Sequence, residues 1–354
     1  MTNNNYQHFK TSYEKIIFDA LNMLKTDTEW ETRYSKYLTK LCNINKPILK
    51  AKINRPIYAY TTISKETKTT LLVDLRYQGQ SIATLSDNNG IKLLTPSKNN
   101  LKTFSDYEIK CPNLVKANSP VDWHSNEARE FRNFFTKILP EKSKHIEHTL
   151  ESALLSHLEN EDGKSKPLKN IQPIKFYGKR IQLPTPLTAS KAKNGILSYA
   201  AQYGGGIDIA ARRKDDTNKT YVTVIELKDE NLSSEPPEKA IQQAIAYAVF
   251  IRELIRSKTA NTVNNPRIPI ENKKSWYNFL GFKGNPPKVL TIKTVIVMPN
   301  IDKIKMQSII DYCGNLKIDS SNADSLELHF ISVDNNVPIT DPNFGKPLYW
   351  SKNF

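Results

Sequence analysis

Apolar residues recur along this chain with two different periods. Phe9, Tyr13, Ile16, Ile17, Ala20 and Leu24 follow helical spacing, and Trp30, Tyr34, Tyr37, Leu38 and Leu41 repeat it, so the N-terminal stretch predicts two amphipathic helices. From Pro56 to Thr95 the period drops to two. PIYAYTTI, TTLLVDLRY, QSIATLS and GIKLLT are short β-rich runs, and Gln78-Gly79 and Asn88-Asn89-Gly90 between them are hairpin turn signals. The pattern lapses from Ser105 to Trp123, where Pro112, Asn118, Ser119 and Pro120 mark a linker.

Beyond the linker, helices are expected at about Ser125–Leu139 and Ser143–Leu158, the second with Ile146, Leu150, Leu154, Leu155 and Leu158 as its apolar stripe. Strands follow near Gly206–Ala211 and Tyr221–Lys228, then a helix at about Pro237–Arg256. A polar, Pro-containing segment precedes a strand at Val289–Met298, a helix at Asp302–Cys313 and a strand at Ser325–Val333. Helices interleaved with short apolar strands predict an α/β fold, a mixed central sheet flanked by helices. The expected division is a small N-terminal α+β module, residues 1–120, and a second domain, residues 121–354, which agrees with a length of 354 residues at about 150 per domain.

Composition narrows the function classes. No apolar run reaches the length of a membrane span, and the N-terminus MTNNNYQHFK has no secretory h-region. Cys42, Cys111 and Cys313 are too scattered for a metal knuckle or a disulfide framework. A reduced, cytoplasmic protein with no membrane partner is the expectation. The net charge of +15 suggests a polyanionic partner, although 40 of the 51 basic residues are Lys, a bias that an A/T-rich coding sequence also produces.

The chemistry concentrates in GGGIDIAARRKDDTNKTYVTVIELKDE, residues 204–230. Glu226 and Lys228 stand at i and i+2 near the end of a strong strand, so they share a face while Leu227 turns into the core. Asp215-Asp216-Thr217-Asn218 is a turn, and an antiparallel hairpin around it brings Asp208 beside Glu226. Two adjacent carboxylates repel and stay ionised mainly when a dication lies between them. Oxygen ligands of this kind suit Mg2+ or Mn2+, which lower the pKa of a bound water and neutralise charge on a phosphate. Glu-x-Lys by itself carries no weight, since Glu66-Lys68, Glu108-Lys110 and Glu271-Lys273 repeat it. Only Glu226-Lys228 has the apolar strand before it, the acid upstream and a helix after it.

Gly206-Ile207-Asp208, Ile225-Glu226-Leu227-Lys228 and Gln243-Ala244-Ile245-Ala246-Tyr247 together resemble the PD-(D/E)XK nuclease superfamily, over roughly residues 123–333. Ile207 replaces the family's Pro. The resemblance implies a restriction-endonuclease-like sheet and metal-dependent phosphodiester hydrolysis. Asp208 and Glu226 would hold one or two Mg2+ or Mn2+ ions with the Leu227 carbonyl. Lys228 would serve the nucleophile or the transition-state charge, Gln243 would position water or phosphate, and Tyr247 would buttress Gln243. An acid on the family's first core helix corresponds best to Glu151, with Glu147 one turn earlier as runner-up.

Arg212, Arg213, Lys214, Lys191, Lys193, Arg252 and Arg256, with Lys179 and Arg180, are the candidate contacts to a nucleic-acid backbone. Gly204-Gly205-Gly206 lacks the Gly-Lys-Ser/Thr of a P-loop. His145-x-x-His148 lacks zinc-helix spacing. Trp276, Tyr277, Phe279 and Phe282 read as peripheral core. The expectation is a Mg2+-dependent nuclease, with DNA ahead of RNA as substrate, acting in restriction or anti-phage defence, and with a homodimer allowed. Its rival is a nucleic-acid-binding or interaction protein that keeps the fold without cleaving.

Overall fold

Two mixed sheets exchange the chain through a single residue at two points, and those crossings position everything of chemical interest. The computed structural model describes residues 6–41, 47–62, 72–87, 89–94, 120–137, 146–159, 168–189, 197–200, 205–229, 235–257, 275–319 and 323–354. Helices α1 (Gln7–Thr26), α2 (Glu29–Leu41) and the single turn α3 (Pro47–Lys50) come first. The meander β1 (Ile57–Thr62), β2 (Leu72–Tyr77), β3 (Gln80–Asp87) and β4 (Ile91–Leu94) follows, closed by β5 (Val121–Asp122). Gln78 and Gly79 both have positive φ, 50° and 77°, as a two-residue hairpin turn requires. Next come α4 (Asn126–Lys137) and α5 (Ile146–Glu159).

Five short strands then run in succession: β6 (Ile171–Pro173), β7 (Lys175–Phe176), β8 (Lys179–Thr185), β9 (Leu187–Thr188) and β10 (Ser198–Tyr199). They lead to β11 (Gly205–Ile207), β12 (Ile209–Lys214) and β13 (Thr220–Leu227). The remaining elements are α6 (Pro237–Arg256), α7 (Trp276–Phe279), β14 (Thr291–Pro299), α8 (Lys303–Cys313), β15 (Asn315–Lys317), β16 (Ser325–Val333) and β17 (Pro347–Trp350).

The first sheet has the order β11-β8-β1-β2-β3-β4-β5, with β7 on β8. The second has the order β15-β16-β14-β13-β12-β6, with β17 on β16. Its centre is parallel, β13 to β14 to β16, and every residue of β13 from Val222 onward is buried. Strands covered on both faces become continuous apolar runs in this way. The α/β class with mixed sheets is therefore present.

Helix α6 provides most of that cover. Pro237 sits at its start, where a missing N–H costs nothing, and Ala240, Ala244 and Ala248 allow close approach. Its outer side carries α1 and α2. The Tyr13 hydroxyl donates to the Glu238 carbonyl at 2.9 Å, and Gln242 Nε2 donates to Ser12 Oγ at 2.9 Å. Trp30 and Tyr34 meet Phe250 edge-on, with centroids 5.6 Å and 5.0 Å away.

The division expected near residue 121 is not a division of the packing. Strand β8 lies parallel to β1, with Tyr60 opposite Arg180 and Thr62 opposite Gln182. The reason is physical: β1 would otherwise present an open edge, and the outer side of α6 would otherwise be bare. The expected linker falls largely on residues 95–119, outside the described residues. No helix among the described residues is long and apolar enough to cross a membrane.

A fragment spanning residues 121–354 loses the partner strand of β8 and the helices covering α6. It should aggregate or unfold on size-exclusion chromatography, whereas the full chain should melt cooperatively. A monodisperse fragment with its own cooperative transition would contradict this packing.

Candidate active site at the junction of the two sheets

The chain leaves the first sheet at Ile207, paired with Leu183. It enters the second at Ile209, paired with Ile225. Asp208 is the single residue between, and Ile174 is the matching crossing between β6 and β7. The hairpin register carries Asp208 alongside Glu226, and Asp208 Oδ2 accepts the Leu227 N–H at 2.8 Å. Glu226 is buried, and Lys228 continues the strand by donating its N–H to the Val297 carbonyl at 2.9 Å. Leu227 packs in the opposite core with Leu150 and Leu154. The side-chain alternation expected of Glu226, Leu227 and Lys228 is thus present.

Lys228 Nζ lies 3.0 Å from Glu226 Oε1 and 3.4 Å from Glu147 Oε1. Glu147 and Glu151 are one turn apart on α5, so both face this region. Glu147 holds the lysine, while Glu151, only 2% exposed, interacts electrostatically with Asp208 and lies 3.8 Å from His148 Nδ1. The runner-up acid is therefore the one in contact with the catalytic candidate.

The charges conflict. Burial pushes the Glu226 carboxyl up to about 7 against the pull of Lys228. Burial and then the Glu226 charge raise Asp208 well above the usual carboxylate range. Burial works against the Lys228 ammonium too, but Glu226, Glu147 and Asp208 outweigh it and hold it charged. Tyr247 is raised by burial and by Glu226, so it stays a neutral hydroxyl.

Gln243 donates from Nε2 to the Tyr247 hydroxyl at 3.0 Å, and both side chains are buried. Gln242 points away, to Ser12. A Cβ on Gly205 would collide with the Tyr247 hydroxyl and crowd the Leu187 carbonyl, so glycine lets β11 approach the helix here. Glu226 Oε2, Glu151 Oε1 and Gln243 Oε1 are buried acceptors without a hydrogen-bond partner. Buried oxygens left unpaired are costly, and a cation with its waters would satisfy them.

The donor set therefore fits a hard dication. No group of three or more His, Cys, Asp or Glu side chains among the described residues closes around a metal by itself. A bound ion would take Asp208, Glu226 and the Leu227 carbonyl and complete its shell with water, as Mg2+ does readily.

The expected basic surface is largely used within the chain. Arg252 is buried and held by Asp324 at 2.8 Å, by Asp319 at 2.7 Å and by Glu253, and Arg256 holds Asp324 at 2.7 Å. Neither is placed to meet a phosphate backbone, because burial of their helix face demands acids of the same chain. Arg213 is buried with its guanidinium 4.6 Å from the Phe354 ring centre. Arg212 donates to the Gly281 carbonyl at 2.6 Å and to Gln172 at 3.0 Å. Lys214 is exposed. Lys191, Lys193 and His145 lie outside the described residues, as do the decoy pairs Glu66-Lys68, Glu108-Lys110 and Glu271-Lys273. Trp276 and Tyr277 are buried, with Phe279 and Phe282 against the same core.

No family model, curated protein or solved structure matches the chain.

A carboxyl moved from 4.5 to about 7 costs the folded state on the order of 3 kcal/mol once ionised. The unfolded chain releases this proton near 4.5, whereas the folded chain keeps it until about 7. Stability should therefore fall as pH rises across that window in chelator-treated protein. His329 works in the opposite sense, since burial lowers its pKa. The readout is accordingly the difference between wild type and Glu226→Gln in urea unfolding at a series of pH values. The variant should lose the Glu226 share of the alkaline destabilisation while Asp208, raised first by its own burial, retains its share, and an identical pH profile would refute the assignment.

Proposed function

We propose that the protein is a metal-dependent nuclease with a restriction-endonuclease-like core, hydrolysing phosphodiester bonds in DNA. The observation that carries this reading is the unpaired buried oxygens of Glu226 and Glu151, both of which act on Asp208, and of Gln243, with a charged lysine on Glu226. The motif resemblance through Asp208, Glu226-Leu227-Lys228 and Gln243–Tyr247 supports the same reading. A role in restriction or anti-phage defence is compatible with it.

A Mg2+ or Mn2+ ion held there would act as a Lewis acid toward the phosphate and make water a better nucleophile. The chain's own groups do the rest. The Leu227 N–H fixes Asp208 by donating to Oδ2, so one carboxylate oxygen is anchored and the other is left for binding. Lys228, kept charged by three carboxylates, is preorganised where negative charge builds on the phosphate, and such groups act mainly on the transition state. Gln243 Oε1 is an acceptor that can orient a water O–H, while Tyr247 fixes the amide. Glu147 keeps the Lys228 head turned toward the strand end.

A second reading, a nucleic-acid-binding protein that does not cleave, is favoured by the bonding of Lys228 to two carboxylates at once. Plasmid incubated with Mg2+ or Mn2+, with and without EDTA, separates the two readings. The nuclease reading expects chelator-sensitive cleavage, and binding without cleavage in either metal supports the rival.

Lys228→Ala should lower the cleavage rate by about 10² to 10³, the usual loss for one preorganised charge-stabilising group, and should also lower stability, because buried Glu226 loses its ion-pair partner, so the rate is read well below the variant's melting temperature. Asp208→Ala should lose metal affinity as well as rate. Lys68→Ala, Lys110→Ala and Lys273→Ala, in the other Glu-x-Lys tripeptides, should cleave at the wild-type rate. Full activity in Lys228→Ala, or an equal loss in a control, would remove the assignment.

Binding to DNA should weaken by orders of magnitude between about 50 and 200 mM salt, because lysine contacts to phosphate release counterions. An affinity that is flat over that range, read by fluorescence anisotropy in EDTA, would contradict an electrostatic interface.

A further inference from the structure

The face of the second sheet that carries Leu227 rather than Glu226 buries another set of charges. Arg213 on β12, Lys293 on β14 and His329 on β16 are each at most 7% exposed. Lys293 stands opposite Glu327 in the β14–β16 register, and His329 is two residues further on, on the same side of its strand. Lys293 Nζ and His329 Nε2 both reach Glu327 Oε1, each at 3.0 Å. The other ring nitrogen, His329 Nδ1, lies 3.1 Å from Ser351 Oγ, in the turn that follows β17. That turn is tied back to β16 by the Ser351 N–H, which donates to the Phe330 carbonyl at 3.0 Å. Phe354 closes it. Its ring centre is 4.7 Å from the His329 ring and 4.6 Å from the Arg213 guanidinium, and it stacks on Trp350 at 5.4 Å. The same ring packs in one apolar cluster with Leu150, Leu154 and Leu158 of α5.

These bonds fix the tautomer. A carboxylate only accepts, so Nε2 carries the proton that Glu327 receives, and Nδ1 is left to accept the Ser351 hydroxyl. Ser351 Oγ in turn accepts the Phe330 N–H at 3.3 Å, so with a neutral ring donors and acceptors match along the line from Glu327 to Phe330. A second proton on His329 reverses one link. Nδ1–H then faces the Ser351 O–H, and that buried hydroxyl has to turn its hydrogen away from the ring. The charged groups facing the ring are Glu327 on its own strand, Lys293 on β14 and Arg213 on β12. Tyr221 of β13 lies beside Lys293, Asp215 and Asp216 act on Arg213 from the hairpin turn, and α5 contributes leucines. Burial first, then Lys293 and Arg213, outweigh the pull of Glu327 and hold the ring below its ordinary value of 6.5.

We propose that Ser351–Phe354 is an acid-released strap, closed over the sheet while His329 is neutral and lifted when that ring takes up a proton. Release breaks the Ser351 link and withdraws the Phe354 ring. Arg213 and Lys293, buried in the closed state, are then presented beside the exposed Lys214 and Lys219, so acidity is converted into basic surface. The carboxylates of the acidic junction take no part, and the proposal stands apart from the nuclease reading.

The test is hydrogen exchange of the full chain over about pH 7.5 to 5, the range in which histidine titrates, with rates corrected for the intrinsic effect of pH. It reads the Ser351 and Phe354 amides against those of Val295 and Val297 inside β14. The closed ring binds its proton less readily than the released one. Protection of the strap amides should therefore fall as pH drops below 6.5, by up to about tenfold per pH unit, while β14 stays protected. His329→Gln, which takes no proton, should abolish the fall. His157→Gln should not, although His157 Nε2 also meets this part of the chain, at the Phe344 carbonyl 3.0 Å away. If His329→Gln does not fold, Lys293→Gln carries the comparison: with one opposing cation gone, the total loss of protection should shrink. Strap protection that is flat over the range, a loss shared equally by β14, a fall that persists in His329→Gln or keeps its wild-type size in Lys293→Gln, or one that disappears in His157→Gln would overturn the proposal.

Discussion

Everything at the acidic site depends on the hairpin of β12 and β13 ending one residue short of Asp208. At that point the chain changes sheets, and the Leu227 amide that a continuing ladder would use is donated to the Asp208 carboxylate instead. One hydrogen bond thus fixes an acid beside Glu226 at the seam between two sheets. A side chain placed this way is held in one orientation by the backbone itself. The same crossing explains why the N-terminal residues cannot be detached in the packing: β11 ends the sheet that β1 and β8 build together.

The site is also a place where the fold accepts strain of an electrostatic kind. Two carboxyls are raised by burial, Asp208 also by the Glu226 charge, three buried oxygens lack partners, and one lysine answers several acids. Buried ionisable groups that are elsewhere paired, such as Arg252 and Arg256 on Asp324 or Lys293 on Glu327 at 3.0 Å, show how this chain closes a structural ion cluster. The junction is left open by comparison. Perturbed groups that depart from the chain's own habit of pairing are candidates for chemistry.

Much of this was legible in the sequence. The turn at Asp215–Asn218 sets the hairpin count that brings Asp208 to Glu226, and period-two alternation puts Lys228 on the same face. Gln243 is distinguishable from Gln242 because the two point in different directions on one helix, and their partners, Tyr247 and Ser12, bear that out. Glu147 and Glu151 were harder, because residues four apart share a face and only burial separates their roles. Strand β8, KRIQLPT, was not legible at all. It is buried along its length yet polar at several positions, because Arg180 finds Glu159 and Gln182 finds Arg76 across the fold. Charged residues with distant partners look like surface in a sequence, and Arg252 misled in the same way.

If the acidic junction is a cation site, its carboxyls exchange protons for metal. Titration of Mn2+ into the chelator-treated, dialysed protein in weakly buffered solution near neutral pH, following heat and pH together, tests it directly. Saturable binding accompanied by proton release is expected, with both signals strongly reduced in Glu226→Gln and in Asp208→Asn. Absence of saturable binding, or binding that releases no protons and survives both substitutions, would contradict it.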